Sequence, residues 1–147
     1  MNEYYLKLKK KYNHIVYVNE LNNYGNLIII VKNFDLKYLK SNYLTFVEYI
    51  YISCLEALKI SKKINKKTFN VHIYLEGANI KHFSIKLSRM INKKLSENLI
   101  DVLNKCYIYG FGPFLTTIYN IIKCQLDPVT KKKIIIIKRS NIFSPLK

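Results

Sequence analysis

Two arginines, three prolines, four glycines, three cysteines and nine acidic residues are all that this chain of 147 residues holds of those types. Each scarcity excludes something. Gly25, Gly77, Gly110 and Gly112 match neither the Walker phosphate loop nor the dinucleotide fingerprint, both of which need closely set glycines where backbone meets phosphate. Cys54, Cys106 and Cys124 are an odd count without paired metal spacing. Secreted disulfide frameworks are short, cysteine-dense and even-numbered, so a reducing, cytoplasmic setting is expected. His14, His72 and His82 lack the His-x-x-x-His spacing that puts two imidazoles on one helical face. Cys106 or Cys124 beside a histidine would make a thiolate nucleophile, but no local signature supports one. The expectation is therefore a protein that is not an enzyme, with no catalytic residues, no metal and no cofactor. Long apolar runs are missing too. The longest apolar region, 43–58, is broken by Glu48 and Glu56, and the start, Met1 to Lys11, lacks the apolar core of a signal peptide. A soluble protein is expected.

Against these absences stand a hydrophobic half of the sequence and 20 Tyr and Phe residues (13 and 7), a composition that builds a core. The length suits one domain, since single cores span roughly 100–200 residues. Twenty-five Lys and Arg against nine acids give a net charge of +16, which attracts anionic partners: acidic lipid, nucleic acid or a phosphorylated ligand. Nearly all of that charge is lysine, which lacks the planar fork of arginine. Lys, Asn, Ile and Tyr also share AT-rich codons, so part of the charge mirrors genome composition, as in a large DNA virus or a parasite.

Strand and helix patterns alternate. Residues 15–18 and the five-residue apolar run 27–31 read as strands, the second buried on both faces. Residues 38–60 read as a helix, with Leu39, Tyr43, Phe46, Val47, Ile50, Cys54, Leu55 and Leu58 along one stripe. A lysine-rich loop (61–67) leads to a strand at 68–75 ended by Glu76-Gly77, then to a helix from Phe83 to Lys94 and another helical turn or two over 97–103. Residues 106–109 form the next strand. Pro113 opens a helix carrying Phe114, Leu115, Ile118, Ile121 and Ile122, and after a turn at Asp127-Pro128 residues 134–137 form a further buried strand. Such alternation predicts an α/β fold: a mostly parallel sheet of about four to five strands with helices packed against it. The tail 140–147 is expected to fray or dock irregularly.

The stretch Lys105-Cys-Tyr-Ile-Tyr-Gly-Phe-Gly-Pro-Phe, followed by Asp127-Pro-Val-Thr-Lys-Lys-Lys-Ile-Ile-Ile, resembles the CRAL-TRIO family of lipid-binding and lipid-transfer domains. Upstream, Val71-His-Ile-Tyr-Leu-Glu-Gly is similar to that family's strand ending in Asp-Leu-x-Gly, with Tyr74 in the place of Asp. Gly-Phe-Gly stands in the place of Asn-Ala before Pro113. The resemblance covers roughly 15–138 and implies one CRAL-TRIO-like domain over 1–147, without the helical bundle that often precedes it and without the family's C-terminal helix.

The resemblance also implies a site. Family members that bind phosphatidylinositol use an acidic residue before the third strand and a lysine after the Asp-Pro-x-Thr turn, which here are Asp101 and Lys133. An ammonium suits a phosphate and a carboxylate suits ring hydroxyls. Phe114, Leu115, Ile118 and Ile122 would belong to the helix that gates the lipid cavity, an apolar face also able to settle on a bilayer. His72 and Tyr74 share one strand face and would line a cavity or mark a polar edge. Phe69 and Val71 stand where phosphatidylcholine binders carry small hydroxyl residues, so that specificity is not carried over. The leading expectation is a lipid-binding module with a bound phospholipid such as a phosphoinositide, docking peripherally on an anionic membrane surface. Behind it stand a protein-interaction adaptor that has lost the cavity, and nucleic-acid binding through the lysine surface, for which no recognition motif is present.

Overall fold

The computed structural model describes residues 2–110 and 112–138, the side chain of Ile100 aside. The expected tail at 140–147 lies outside the described residues.

The charged start, which the sequence reading left without structure, is a helix, α1 (Glu3–Tyr12). The Asn2 side chain caps it by accepting from the Tyr5 N–H at 3.1 Å. Glu3 sits in its first turn and Lys9, Lys10 and Lys11 in its last, each sign matched to the helix dipole. Tyr5, Leu8 and Tyr12 form its buried stripe.

Strands β1 (Val16–Leu21) and β2 (Tyr24–Ile30) form an antiparallel hairpin closed by the pair Leu21 and Tyr24. Its two turn residues, Asn22 and Asn23, both have positive φ (56° and 66°). That geometry matches strand twist, and asparagine tolerates it better than most residues.

The expected helix over 38–60 is two helices, α2 (Leu36–Lys40) and α3 (Tyr43–Lys63). The Ser41 hydroxyl bonds to the Tyr38 carbonyl and the Asn42 amide to the Ser41 hydroxyl, local bonds that compete with helix continuation. After this break the stripe shifts: Tyr49, Ser53, Ala57 and Ser61 join the core, while Leu55 is exposed. Helix α3 crosses β2 so closely that a Cβ at Gly25 would lie 1.8 Å from the Ala57 carbonyl oxygen. The Gly25 N–H donates to the Ser61 hydroxyl at 2.8 Å. Glycine, alanine and serine stand there because nothing larger fits.

Next come β3 (Phe69–Tyr74), α4 (Ile85–Leu99), β4 (Leu103–Gly110), α5 (Pro113–Gln125), the short α6 (Pro128–Lys131) and β5 (Ile134–Lys138). The five strands lie in chain order, and β2 to β5 are parallel. Right-handed crossovers stepping always in one direction put α3, α4 and α5 on the same side. Strand alternation then splits the sheet. Val16, Leu27, Ile29, Phe69, Val71 and Ile108 face the helices and join one core with Phe46, Ile50, Leu87 and Ile118. Ile28, Ile30, Tyr74 and Tyr109 form a second cluster on the opposite face. The last strand is an edge and not the buried strand expected: Ile135 is 36% exposed.

Candidate functional site

Helix α5 begins where Gly112 adopts φ +88° and Pro113 takes the first helical position. Glycine suits that left-handed residue, and proline loses no hydrogen bond at the first helical position. Of the four residues expected on the gate, Leu115 and Ile118 are buried, whereas Phe114 and Ile122 are half-buried.

Beneath α5 lies an apolar cavity of about 230 Å³. Its floor is the helix side of the sheet, with Ile29, Val71, Ile73 and Cys106; α4 contributes Ile91, Leu95 and Leu99, and α5 contributes Ile122. A smaller pocket of about 90 Å³ shares Ile29, Ile73, Ile91 and Ile122 and reaches Phe34 and Ile118. Burial pushes the Cys106 thiol up to about 12, so it is an unreactive part of this lining.

The polar part of the cavity lining is Asn92, Ser96, Gln125, Asp127 and Thr130; Asp101 and Lys133 are not among the lining residues. Leu99 and Leu103 line the cavity on either side of the turn that carries Asp101; Thr130 and Ile134 line it on either side of the loop that carries Lys133. Strands β4 and β5 are neighbours, and the Cys106 N–H donates to the Lys133 carbonyl at 2.9 Å. Asp101, exposed, precedes β4 and the half-buried Lys133 precedes β5, so both lie toward the N-terminal ends of neighbouring parallel strands. Between them the Asp-Pro-Val-Thr turn is a helix cap. The Asp127 carboxylate accepts from the Thr130 N–H at 2.8 Å and from the Thr130 hydroxyl at 2.7 Å. These bonds hold the Asp127 carboxyl below the usual carboxylate range.

His72 and Tyr74 are elsewhere. They point to the opposite face of the sheet, because strand side chains alternate and the cavity takes Val71 and Ile73. The four residues named as one ligand set thus occupy two separate places. His72 is 4% exposed. The Asn26 Nδ2 donates to the carbonyls of Leu21 and Tyr24 (3.1 and 2.9 Å), so its Oδ1 is the atom facing His72 Nε2 at 2.9 Å. Nε2 must then carry the hydrogen, leaving Nδ1 to accept from the Tyr109 hydroxyl at 2.7 Å. Desolvation lowers the His72 pKa to about 4, which keeps the ring neutral.

Sequence reasoning missed the polar tie between α4 and α5. The Gln125 Oε1 accepts from the Ser88 hydroxyl at 2.8 Å and from the Asn92 Nδ2 at 2.7 Å. The i, i+4 spacing of Ser88 and Asn92 was visible, but their common partner lies 33 positions beyond Asn92. Among the described residues no cluster of three or more His, Cys, Asp or Glu is placed to hold a metal ion, and no helix is long and apolar enough to cross a membrane.

The architecture is thus a mostly parallel α/β sheet with an apolar cavity between it and helices α4 and α5. The sequence profile of the CRAL/TRIO domain matches residues 11–147, and the chain belongs to that family. No curated protein matches the sequence. Among solved structures, one titled "Crystal structure of Sfh5" is similar, with a TM-score of 0.66 at 13% identity over 86% of this chain. The match takes in 50% of that structure, so the present chain spans about half its length. CRAL/TRIO domains are lipid-binding or lipid-transfer modules, carriers rather than enzymes.

Proposed function

We propose that this chain is a single-domain, non-enzymatic carrier of a phospholipid such as a phosphoinositide. Acyl chain lies in the slot between the sheet and α5, and the head group sits at the edge that carries Asp101 and Lys133. The carrying observation is an apolar cavity of about 230 Å³ whose lining residues Leu99, Leu103, Thr130 and Ile134 flank both charged groups along the chain. There the Lys133 ammonium would meet a phosphate and the Asp101 carboxylate the hydroxyls of an inositol ring. Sites that enclose a drug-sized ligand run to about 300–1,000 Å³, so a whole phospholipid enters only when α5 swings outward. The glycine at 112 gives that swing a permissive joint, and the apolar side of α5 gives it a reason to stop at a bilayer.

A net charge of +16 favours peripheral docking on an anionic, cytoplasmic membrane surface, at about 1 kcal/mol for each lysine near the bilayer. The test is native mass spectrometry of the purified chain, with flotation on liposomes with and without phosphatidylinositol. A lipid adduct and phosphatidylinositol-dependent flotation are expected; an empty protein that ignores both liposomes would refute the proposal. The small closed volume also favours a second reading, an adaptor with no cargo, and a protein partner recovered with lipid-indifferent chain would decide for it.

A further inference from the structure

The face of the sheet opposite α3, α4 and α5 carries a recess that the lipid reading does not use. Its volume is about 370 Å³, and Tyr24, Asn26, Asn70, His72, Asn104 and Tyr107 line it. In a chain of net charge +16, no acidic, lysine or arginine side chain lines it among the described residues. It is a neutral site of amides and aromatic rings, suited neither to an acyl chain nor to a bare anion.

The amides are arranged and not merely present. Asn19, Asn26 and Asn70 fall level with one another on β1, β2 and β3. Asn70 is 6% exposed, and its Oδ1 is saturated by the Asn104 Nδ2 at 3.0 Å and the Lys105 N–H at 3.2 Å. Its Nδ2 has no acceptor among the described residues. The Asn104 Oδ1, in the same amide pair, has no donor among them. An amide donor and a neighbouring amide acceptor, both still open toward the recess, are what a ligand edge with the converse pattern would complete.

The aromatic component is equally fixed. The half-exposed Tyr107 ring stacks on His72, with centroids 4.9 Å apart and 18° between planes, and His72 is itself locked between Asn26 and Tyr109. At the other wall, the Lys66 ammonium lies 5.1 Å over the Tyr24 ring, a cation at the border of a neutral recess. A rigid ring for stacking, an adjacent donor and acceptor, and one cation outside match a nucleobase that carries a phosphate.

We infer that this recess is a second binding site, for a nucleobase with its phosphate directed toward Lys66. The base stacks at Tyr107 and its edge pairs with Asn70 and Asn104. The site lies across the sheet from the slot under α5, so it stands or falls independently of lipid carriage.

The test is calorimetric titration of the full chain with AMP, UMP, ribose 5-phosphate and a short single-stranded oligoribonucleotide. At least one nucleoside monophosphate is expected to bind saturably, and ribose 5-phosphate at least about tenfold more weakly, since stacking is the chief attraction. Tyr107→Ala and Asn104→Ala, both at half-buried positions, should each weaken the base-bearing ligand while lipid retention is unchanged. Tighter binding of the oligoribonucleotide than of the monophosphate identifies a single strand as the source of the base; the reverse order identifies a free nucleotide, and either result supports the site. Absence of saturable binding by any base-bearing ligand, equal affinity for ribose 5-phosphate, or variants that bind as well as the parent would each overturn it.

Discussion

Tyr109 donates its hydroxyl hydrogen to His72 Nδ1 across 2.7 Å, completing the tautomer that Asn26 sets at the other ring nitrogen of the one histidine buried within the sheet. Both residues are consequences of alternation: β3 and β4 each send every second side chain to the face away from the helices. Two rows result, His72 beside Tyr107 and Tyr74 beside Tyr109, and the second pair stacks at 4.3 Å between centroids with planes 5° apart.

Acid should therefore destabilise the fold through His72. Its folded pKa, about 4, lies below the ordinary histidine value of 6.5, so the unfolded chain binds the extra proton between those values. The His72 contribution is fully present above pH 6.5 and is lost as pH falls toward 4. By pH 4.5 the loss amounts to roughly 2–3 kcal/mol, at about 1.4 kcal/mol per unit. Urea titrations from pH 7 to 4.5 should show the midpoint falling, and a His72→Phe variant should show a flatter profile. An equally steep profile in that variant would assign the acid sensitivity to other groups.

Gly25→Ala should be among the most damaging single-methyl additions in this protein. The added carbon would sit 1.8 Å from a backbone carbonyl oxygen of α3, and backbone cannot rotate away as a side chain can. Overpacking typically costs about 1–3 kcal/mol, and this site should reach the upper end or exceed it. Equilibrium denaturation measures the loss; a stability within 0.5 kcal/mol of the parent, roughly the scatter of neutral surface changes, would show that α3 slides freely over β2.

How much of this was legible beforehand depends on the range of the interaction. The parallel sheet was readable because Leu27 to Ile30, Phe69 to Tyr74 and Ile134 to Ile137 announce strands locally, and Gly112-Pro113 announces a helix start. Helix α1 was not readable by charge alone, since only Tyr5, Leu8 and Tyr12 of its five apolar residues are buried, while Tyr4 and Leu6 are exposed among lysines and blur the stripe. Asp101 and Lys133 came from the resemblance alone, and they precede the neighbouring parallel strands β4 and β5. His72 and Tyr74 were grouped with them only because a strand was treated as one surface. Which face looks at the cavity depends on where α4 and α5 pack, a long-range fact with no local signature. Gln125 is the same case: nothing in its neighbours marks it as the acceptor for two side chains of another helix.

Gln125→Leu should loosen the gate. It removes the acceptor shared by Ser88 and Asn92, at a cost of about 1–2 kcal/mol for the hydrogen bonds lost between partly buried groups. Because these bonds join α4 to α5, the loss should fall on the docking of α5 more than on the sheet. Hydrogen exchange should then quicken along α5 with β3 and β4 unchanged, and transfer of a fluorescent phospholipid between vesicles should speed up. Uniform acceleration of exchange over the whole chain would make Gln125 an ordinary contributor to stability.

Two substitutions at opposite ends of the slot separate its capacity from its selectivity. Val71 lines the floor and is 6% exposed, so Val71→Phe projects a ring into the cavity of about 230 Å³. The ring takes up space already empty, and the stability change should stay within about 1–3 kcal/mol. Lipid recovered by native mass spectrometry should fall for every head group alike, because the acyl chain has lost its place. Lys133→Ala leaves the lining intact, of which Lys133 is not a part, and removes one ammonium next in sequence to the lining residue Ile134. A charge-assisted contact is worth about 1.5–3 kcal/mol, so the preference for phosphatidylinositol over a neutral phospholipid should drop about tenfold or more while total lipid uptake persists. If Lys133→Ala instead lowers uptake of all lipids equally, the lysine supports the α6 turn and does not read the head group. If Val71→Phe leaves uptake unchanged, the cargo lies outside the slot beneath α5.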